Sequence, residues 1–260
     1  MNRPHNNETR LGFAADSTTG LGTAEDVADR SPGATSFVIF DLETTGLCPQ
    51  SCEIIQIAAT RFQNGAVVAG DAFFSYCRPT GPISRFISDY TGITDRDVRE
   101  APRPIEMLER FSRFVGDSVI MAHNGHRFDT KFLESTCHQH HAARRTVESI
   151  DTIAFSRRLF GTAAGTGHSL DRVMQRLGLS ASRYQRHDAR GDIQALGDAV
   201  RIMRRRLELD HHGTGIPRRE TVLPVDGSRV FGQPNQNAAG VNVRGDLGYK
   251  SPVDFKTQLS

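Results

Sequence analysis

Two carboxylates close an apolar run in Phe37-Val38-Ile39-Phe40-Asp41-Leu42-Glu43-Thr44-Thr45-Gly46-Leu47. The four leading hydrophobic residues predict a short buried strand. Strand side chains repeat every second residue, so Asp41 and Glu43 point to the same side. At roughly 3.3 Å per residue, the two charges stand about 7 Å apart along the backbone. Like charges this close repel unless a cation lies between them, and hard divalent cations prefer carboxylate oxygens. Thr44-Thr45-Gly46 then turns the chain. Taken alone, an Asp-x-Glu of this kind is also ordinary polar chemistry at the rim of a strand.

Two later segments bear on that choice. Val119-Ile120-Met121-Ala122 reads as another short strand, running into His123-Asn124-Gly125-His126-Arg127-Phe128-Asp129. Phe132 and Leu133 follow Phe128 at helical spacing, which puts Asp129 in the first turn of a helix, where the dipole favours an acid. The third segment is His187-Asp188-Ala189-Arg190-Gly191-Asp192, opening a helix with apolar residues at Ala189, Ile193, Leu196, Val200 and Met203. His187 belongs near that helix start and Asp192 about one turn further in.

In order and local context, Asp41 with Glu43, then Asp129, then His187 with Asp192 resemble the three motifs of the DEDDh (DnaQ-like) 3′→5′ exonucleases. This family includes the proofreading subunit of bacterial DNA polymerase III, PolC-type exonuclease domains and the three-prime repair exonucleases. The resemblance covers roughly Ser36 to Leu207. Tyr90-Thr91-Gly92-Ile93-Thr94 resembles the family's loop before the first helix, and Ile150-Asp151-Thr152 and His168-Ser169-Leu170 resemble its later helical section. Three residues separate Asn124 from the Phe128-Asp129 pair, where proofreading subunits usually have two. That form, with His-x-Ala-x-Gly-Asp, resembles the stand-alone repair enzymes, whereas Asp-Leu-Glu-Thr-Thr-Gly-Leu resembles the polymerase-associated type.

The resemblance implies hydrolysis of phosphodiester bonds at nucleic-acid 3′ ends, with release of nucleoside 5′-monophosphates. DNA ends, single-stranded or frayed, are the first expectation and RNA ends the alternative. An idle binding module on the same fold is a weaker reading, because such modules lose ligands and all five motif residues are present. Phosphodiester hydrolysis needs an activated water and charge neutralisation at the phosphate, which two divalent ions can supply. The carboxylates Asp41, Glu43, Asp129 and Asp192 offer enough hard oxygens for two Mg²⁺ or Mn²⁺. His187 is the one member of the set whose unperturbed pKa, about 6.5, suits proton abstraction near neutrality. Alone it would be a cap or a solvent-facing residue; beside these acids it is the candidate general base. For substrate contacts, the resemblance places Thr44 at the terminal nucleotide and Leu47 as a wedge against the last stacked base. Asn124 either stabilises its turn or meets the scissile phosphate. Phe128 either packs in the core or lies near the sugar-phosphate.

The elements needed to hold these residues follow from the apolar pattern. Phe37–Leu42, Glu53–Phe62 and Ala69–Cys77 read as a meander with a turn at Gln63-Asn64-Gly65. Ile105–Val115 is a predicted helix, Ser118–Ala122 a strand, Phe128–His138 a helix and Val147–Ile150 a fifth strand. Helices are expected over Thr152–Leu159, Ser169–Leu177 and Ala189–Leu207. This is an α/β arrangement, a mixed five-stranded sheet flanked by helices, resembling the ribonuclease H-like fold.

The chain has 260 residues, 37% of them hydrophobic, and a net charge of +2. Residues 1–35 and 208–260 are polar and aperiodic, so a single exonuclease domain over 36–207 is expected between two tails. A short strand or partner-binding peptide around Thr221–Val225 is a weaker signal in the second tail. No stretch approaches a transmembrane span or a secretory signal, so an intracellular protein is expected, cytoplasmic or, in a eukaryote, nuclear. The cysteines Cys48, Cys52, Cys77 and Cys137 form no zinc spacing. So small a net charge sets no strong polyanion field, and binding must come from local patches such as Arg127, Lys131, Arg144, Arg145, Arg183, Arg186 and Arg190. Arg201 and Arg204-Arg205-Arg206 read as the solvated basic end of the last helix. A DNA polymerase or a second copy of the chain is the candidate protein partner.

Overall fold

The computed structural model describes residues 36–163, 165–209 and 215–225. The expected N-terminal tail, and the expected C-terminal tail from residue 226 onward, lie outside these residues. Strands β1 (Phe37–Thr44), β2 (Ile54–Gln63) and β3 (Ala66–Tyr76) form the predicted antiparallel meander. After helices α1 (Arg85–Thr91), α2 (Asp95–Val98) and α3 (Pro104–Val115), strand β4 (Val119–Ala122) returns parallel to β1. Helix α4 (Asp129–Gln139) then leads to β5 (Arg144–Asp151), parallel to β4, followed by α5 (Ile153–Phe160), α6 (Leu170–Leu177) and α7 (Ala189–Arg206).

The sheet has six strands in the order β3-β2-β1-β4-β5-β6, one more than the sequence pattern predicts. The sixth, β6 (Arg219–Pro224), pairs antiparallel with β5 inside the segment expected to be tail. It buries Thr221 and Leu223 on alternate positions, and the Pro224 carbonyl accepts from Ser112 Oγ at 2.7 Å. The Val225 amide bonds the Ala143 carbonyl at 2.7 Å, so the folded body extends past Leu207 to Val225. The weaker strand signal around Thr221–Val225 is thus the alternative that holds, as part of the sheet rather than of a tail.

Strand β1 is central, and its parity aims the chemistry. Val38, Phe40 and Leu42 pack in the core that holds Met107, Leu108 and Phe111 of α3 and Phe132 and Leu133 of α4. Phe37 and Ile39 pack in the opposite core, with Phe155 of α5, Val173 of α6 and Ile193, Leu196, Val200 and Met203 of α7. Asp41 and Glu43 continue the second series, so the pleat turns both carboxylates toward the α7 side.

Two details differ from expectation. Tyr90 and Thr91 end a helix rather than belonging to a loop before the first one. Ser84 caps α1 through its side chain, and Gly92 closes it at φ 74° with its N–H on the Ser88 carbonyl. Seven residues are too few to show amphipathic spacing, although Ile87, Tyr90 and Thr91 are buried. Arg204 is 3% exposed with its guanidinium 5.6 Å from the centre of the Phe37 ring, so the basic run is not uniformly a solvated face. Among the described residues, no helix is long and apolar enough to cross a membrane.

Candidate metal and nuclease site

The carboxylates converge where parallel strands β1 and β4 end. Asp41 and Glu43 come from β1, and Asp192 from the first turn of α7. One oxygen from each lies within 4.8 Å of the others, and all three residues are buried. Asp129 is the first residue of α4, just past the end of β4, and is 2% exposed; it is not within that mutually close set. Three buried carboxylates at such separation repel strongly in a poorly solvated pocket, so their chemistry fits a divalent cation held by hard oxygens.

His187 lies in a turn two residues before α7, near the helix start as expected. Its φ is 64°, a left-handed conformation uncommon outside glycine and often found where function demands it. The imidazole is half-buried and packs against Tyr90, with ring centroids 4.5 Å apart, so α1 supports the candidate base from the side. Asp188 caps α7, its Oδ1 accepting from the Arg190 amide at 2.8 Å. The fully buried Gln56 of β2 accepts from the Ala189 amide at 2.8 Å, joining the helix start to the sheet. Gly191 is also required here, since a Cβ at this position would overlap the Gln185 carbonyl.

The turn after β4 is held by Asp151. Its Oδ1 accepts from the amides of Asn124 and Ile153, each at 3.0 Å. Asn124 itself adopts φ 61°. His123 lies beneath this turn, with Nε2 2.7 Å from the His168 carbonyl and Nδ1 2.8 Å from Thr152 Oγ1. A carbonyl can only accept, so Nε2 carries the proton and Nδ1 accepts from the Thr152 hydroxyl. Burial pushes the His123 pKa below the usual histidine range, with Asp151 opposing that shift, and so favours this neutral tautomer.

Of the four candidate substrate residues, Thr44 and Phe128 are buried, whereas Leu47 and Asn124 are partly exposed on turns. Thr44 Oγ1 donates to the Gly46 carbonyl at 2.6 Å, which tightens the turn after β1. Leu47 is partly buried against the α3/α4 core. Asn124 is half-buried at the β4 turn. Phe128 is 4% exposed, with its ring 5.0 Å from Phe132, so the core-packing alternative describes its side chain. Several residues suggested as a basic patch are engaged within the fold. Arg145 bonds Ser112, Arg190 pairs with Asp188 and stacks over Phe74, and Arg186 pairs with both Asp171 and Asp192.

Gln56, His123, Asp151 and Gly191 therefore shape the site with no role for them in the sequence pattern, and Arg186, expected in a binding patch, pairs with Asp171 and Asp192 instead. His123, Asp151, Arg186 and Gly191 lie in or beside segments that carry the resemblance, which is the one signal that could have found them. Gln56 has no such signal.

The chain is 37% identical over 183 residues to a DNA polymerase III subunit epsilon-like protein of Rhodobacter capsulatus, covering 69% of this chain and 25% of that protein. It is 32% identical over 183 residues to a DNA polymerase III PolC-type of Streptococcus mutans, covering 70% of this chain and 12% of that one. The chain thus spans a quarter or less of these two relatives. Escherichia coli exonuclease I in complex with single-stranded DNA shares the fold, with a TM-score of 0.56 at 20% identity, over 67% of this chain and 41% of that one. Exonuclease X in complex with 5′ overhanging duplex DNA shares it with a TM-score of 0.52 at 23% identity, over 67% and 95% of the two chains. A family model described as Exonuclease (RNase T) matches residues 38–200, the span that carries all five motif residues. The chain belongs to this exonuclease family.

Proposed function

We propose that the chain is a divalent-metal-dependent 3′→5′ exonuclease that removes nucleoside 5′-monophosphates from DNA 3′ ends. The observation that carries this reading is the convergence of Asp41, Glu43 and Asp192 oxygens within 4.8 Å, with His187 in the turn just before the helix that carries Asp192. Asp41, Glu43, Asp129 and Asp192 would hold two Mg²⁺ or Mn²⁺, which when bound supply Lewis-acid activation of water and charge neutralisation at the phosphate. The remaining chemistry belongs to the chain. Neutral His187 takes the proton of the attacking water, and its fixed left-handed turn and Tyr90 contact limit the positions the imidazole can reach. Thr44 at the end of β1, with Leu47 and Asn124 on the turns after β1 and β4, holds the terminal nucleotide. Phe128 supports the start of α4 from within the core.

The relatives named as DNA polymerase III proteins favour DNA as substrate and a polymerase as partner. A linear single strand labelled at its 5′ end, its circular counterpart and a matched RNA test the reading together. Stepwise shortening of the linear DNA in Mg²⁺, abolished by EDTA and absent with the circle, is expected. Cutting of the circle, or undiminished hydrolysis after thorough chelation, contradicts it. Faster shortening of RNA moves the substrate assignment to the alternative.

A further inference from the structure

Arg186 stands immediately before the candidate base and joins two helices through one guanidinium. Its Nε donates to Asp171 Oδ1 of α6 at 2.9 Å, and its Nη1 donates to Asp192 Oδ1 of α7. Asp192 belongs to the trio of close carboxylates, and its side chain is only 7% exposed; Arg186 is 14% exposed and Asp171 39%. A cation of the chain itself therefore engages one of the three oxygen-bearing groups that a metal would use. The Nη1 contact and a bound divalent ion draw on the same carboxylate, and their positive charges repel each other through poorly solvated surroundings. Asp171, being more exposed, gives the guanidinium a second partner that leaves Asp192 to the metal.

We propose that Arg186 is an internal competitor for the metal site. It neutralises Asp192 in the metal-free chain and shifts its pairing toward Asp171 when a divalent ion binds. This rests on the reading of Asp192 as a metal ligand. The device has two consequences of opposite sign. Removing the guanidinium leaves the carboxylate trio to repel, which weakens the metal-free fold, yet frees Asp192 and tightens metal binding. Removing Asp171 leaves Arg186 with Asp192 alone, which weakens metal binding.

The test is calorimetric titration of Mn²⁺ into the full chain, paired with thermal melting in EDTA. Arg186→Gln is expected to bind Mn²⁺ about tenfold more tightly, the scale of one charge-assisted hydrogen bond, and to melt at a lower temperature without metal. Asp171→Asn, altering a partly exposed side chain, is expected to bind several-fold more weakly, and it decides the matter if the first variant does not fold. Unchanged or weaker binding by Arg186→Gln, or unchanged binding by Asp171→Asn, overturns the proposal while leaving the metal site itself intact. A parent protein that binds no Mn²⁺ overturns the metal reading and this inference with it.

Discussion

Gln56 Oε1 accepts a 2.8 Å hydrogen bond from the Ala189 backbone amide, across 133 residues of sequence. Gln56 sits opposite Glu43 in the β1–β2 ladder. The same neighbourhood of the sheet that supplies a candidate ligand therefore also satisfies an amide at the start of α7, three residues before Asp192. First-turn amides have no partner within their own helix, and one left unsatisfied while buried costs about 1–3 kcal/mol. Gln56→Leu is expected to lose stability on that scale in urea unfolding and to lose activity as α7 shifts. A variant with parental stability and parental turnover contradicts this positioning role.

Gly191→Ala tests the close approach between α7 and the turn that carries His187. The added methyl would overlap the Gln185 carbonyl, so residues 185–188 must move. Circular dichroism is expected to show a retained fold, while turnover falls by an order of magnitude or more, as small misplacements of catalytic groups do. Parental turnover would show that the turn tolerates the shift.

Stability is expected to decline on mild acidification. Burial pushes the imidazoles of His123, His126 and His168 below the usual histidine value of 6.5. The unfolded chain takes up protons as pH falls through about 6.5, before the folded chain does. The stability is thus fully present above that pH and is lost progressively as pH falls toward the lower folded values. Urea unfolding from pH 8 to pH 5 checks it. His123→Gln should be less stable at pH 8, for want of the Thr152 and His168 bonds, yet show a shallower decline. An unchanged slope contradicts the assignment.

Much of the site was legible because its signals are local. The pleat alone places Asp41 and Glu43 on one side, and the apolar series Phe37, Ile39 shows which core that side faces. Asp129 opens its helix as the Phe132–Leu133 spacing predicts. What escaped depends on partners distant in sequence. Gln56 is an ordinary polar residue in a strand until Ala189 lies above it, and Asp151 gains its role from amides at both Asn124 and Ile153. Strand β6 is short enough to leave only a weak signal around Thr221–Val225, and α1 buries only three of seven residues. Arg204 looked solvated because its neighbours are basic, whereas its own position on the helix faces Phe37.

The metal dependence should follow the donor set. Oxygen-only ligands favour Mg²⁺ and Mn²⁺ over soft thiophilic ions. Asp41→Ala should weaken Mn²⁺ binding and hydrolysis in parallel, whereas Thr44→Ala should raise KM for a single strand with little effect on metal affinity. Metal binding retained in full by Asp41→Ala would contradict its placement as a ligand.

The division of labour between the acids and His187 is tested most directly by single-turnover hydrolysis of a DNA 3′ end by His187→Ala at saturating Mg²⁺. Calorimetry on the same protein establishes that metal is bound. The expected result is parental metal affinity with a rate reduced on the order of 10²–10⁴, the usual contribution of a positioned base. Near-parental turnover, or loss of metal binding in a folded protein, would contradict the assignment of His187 to the water.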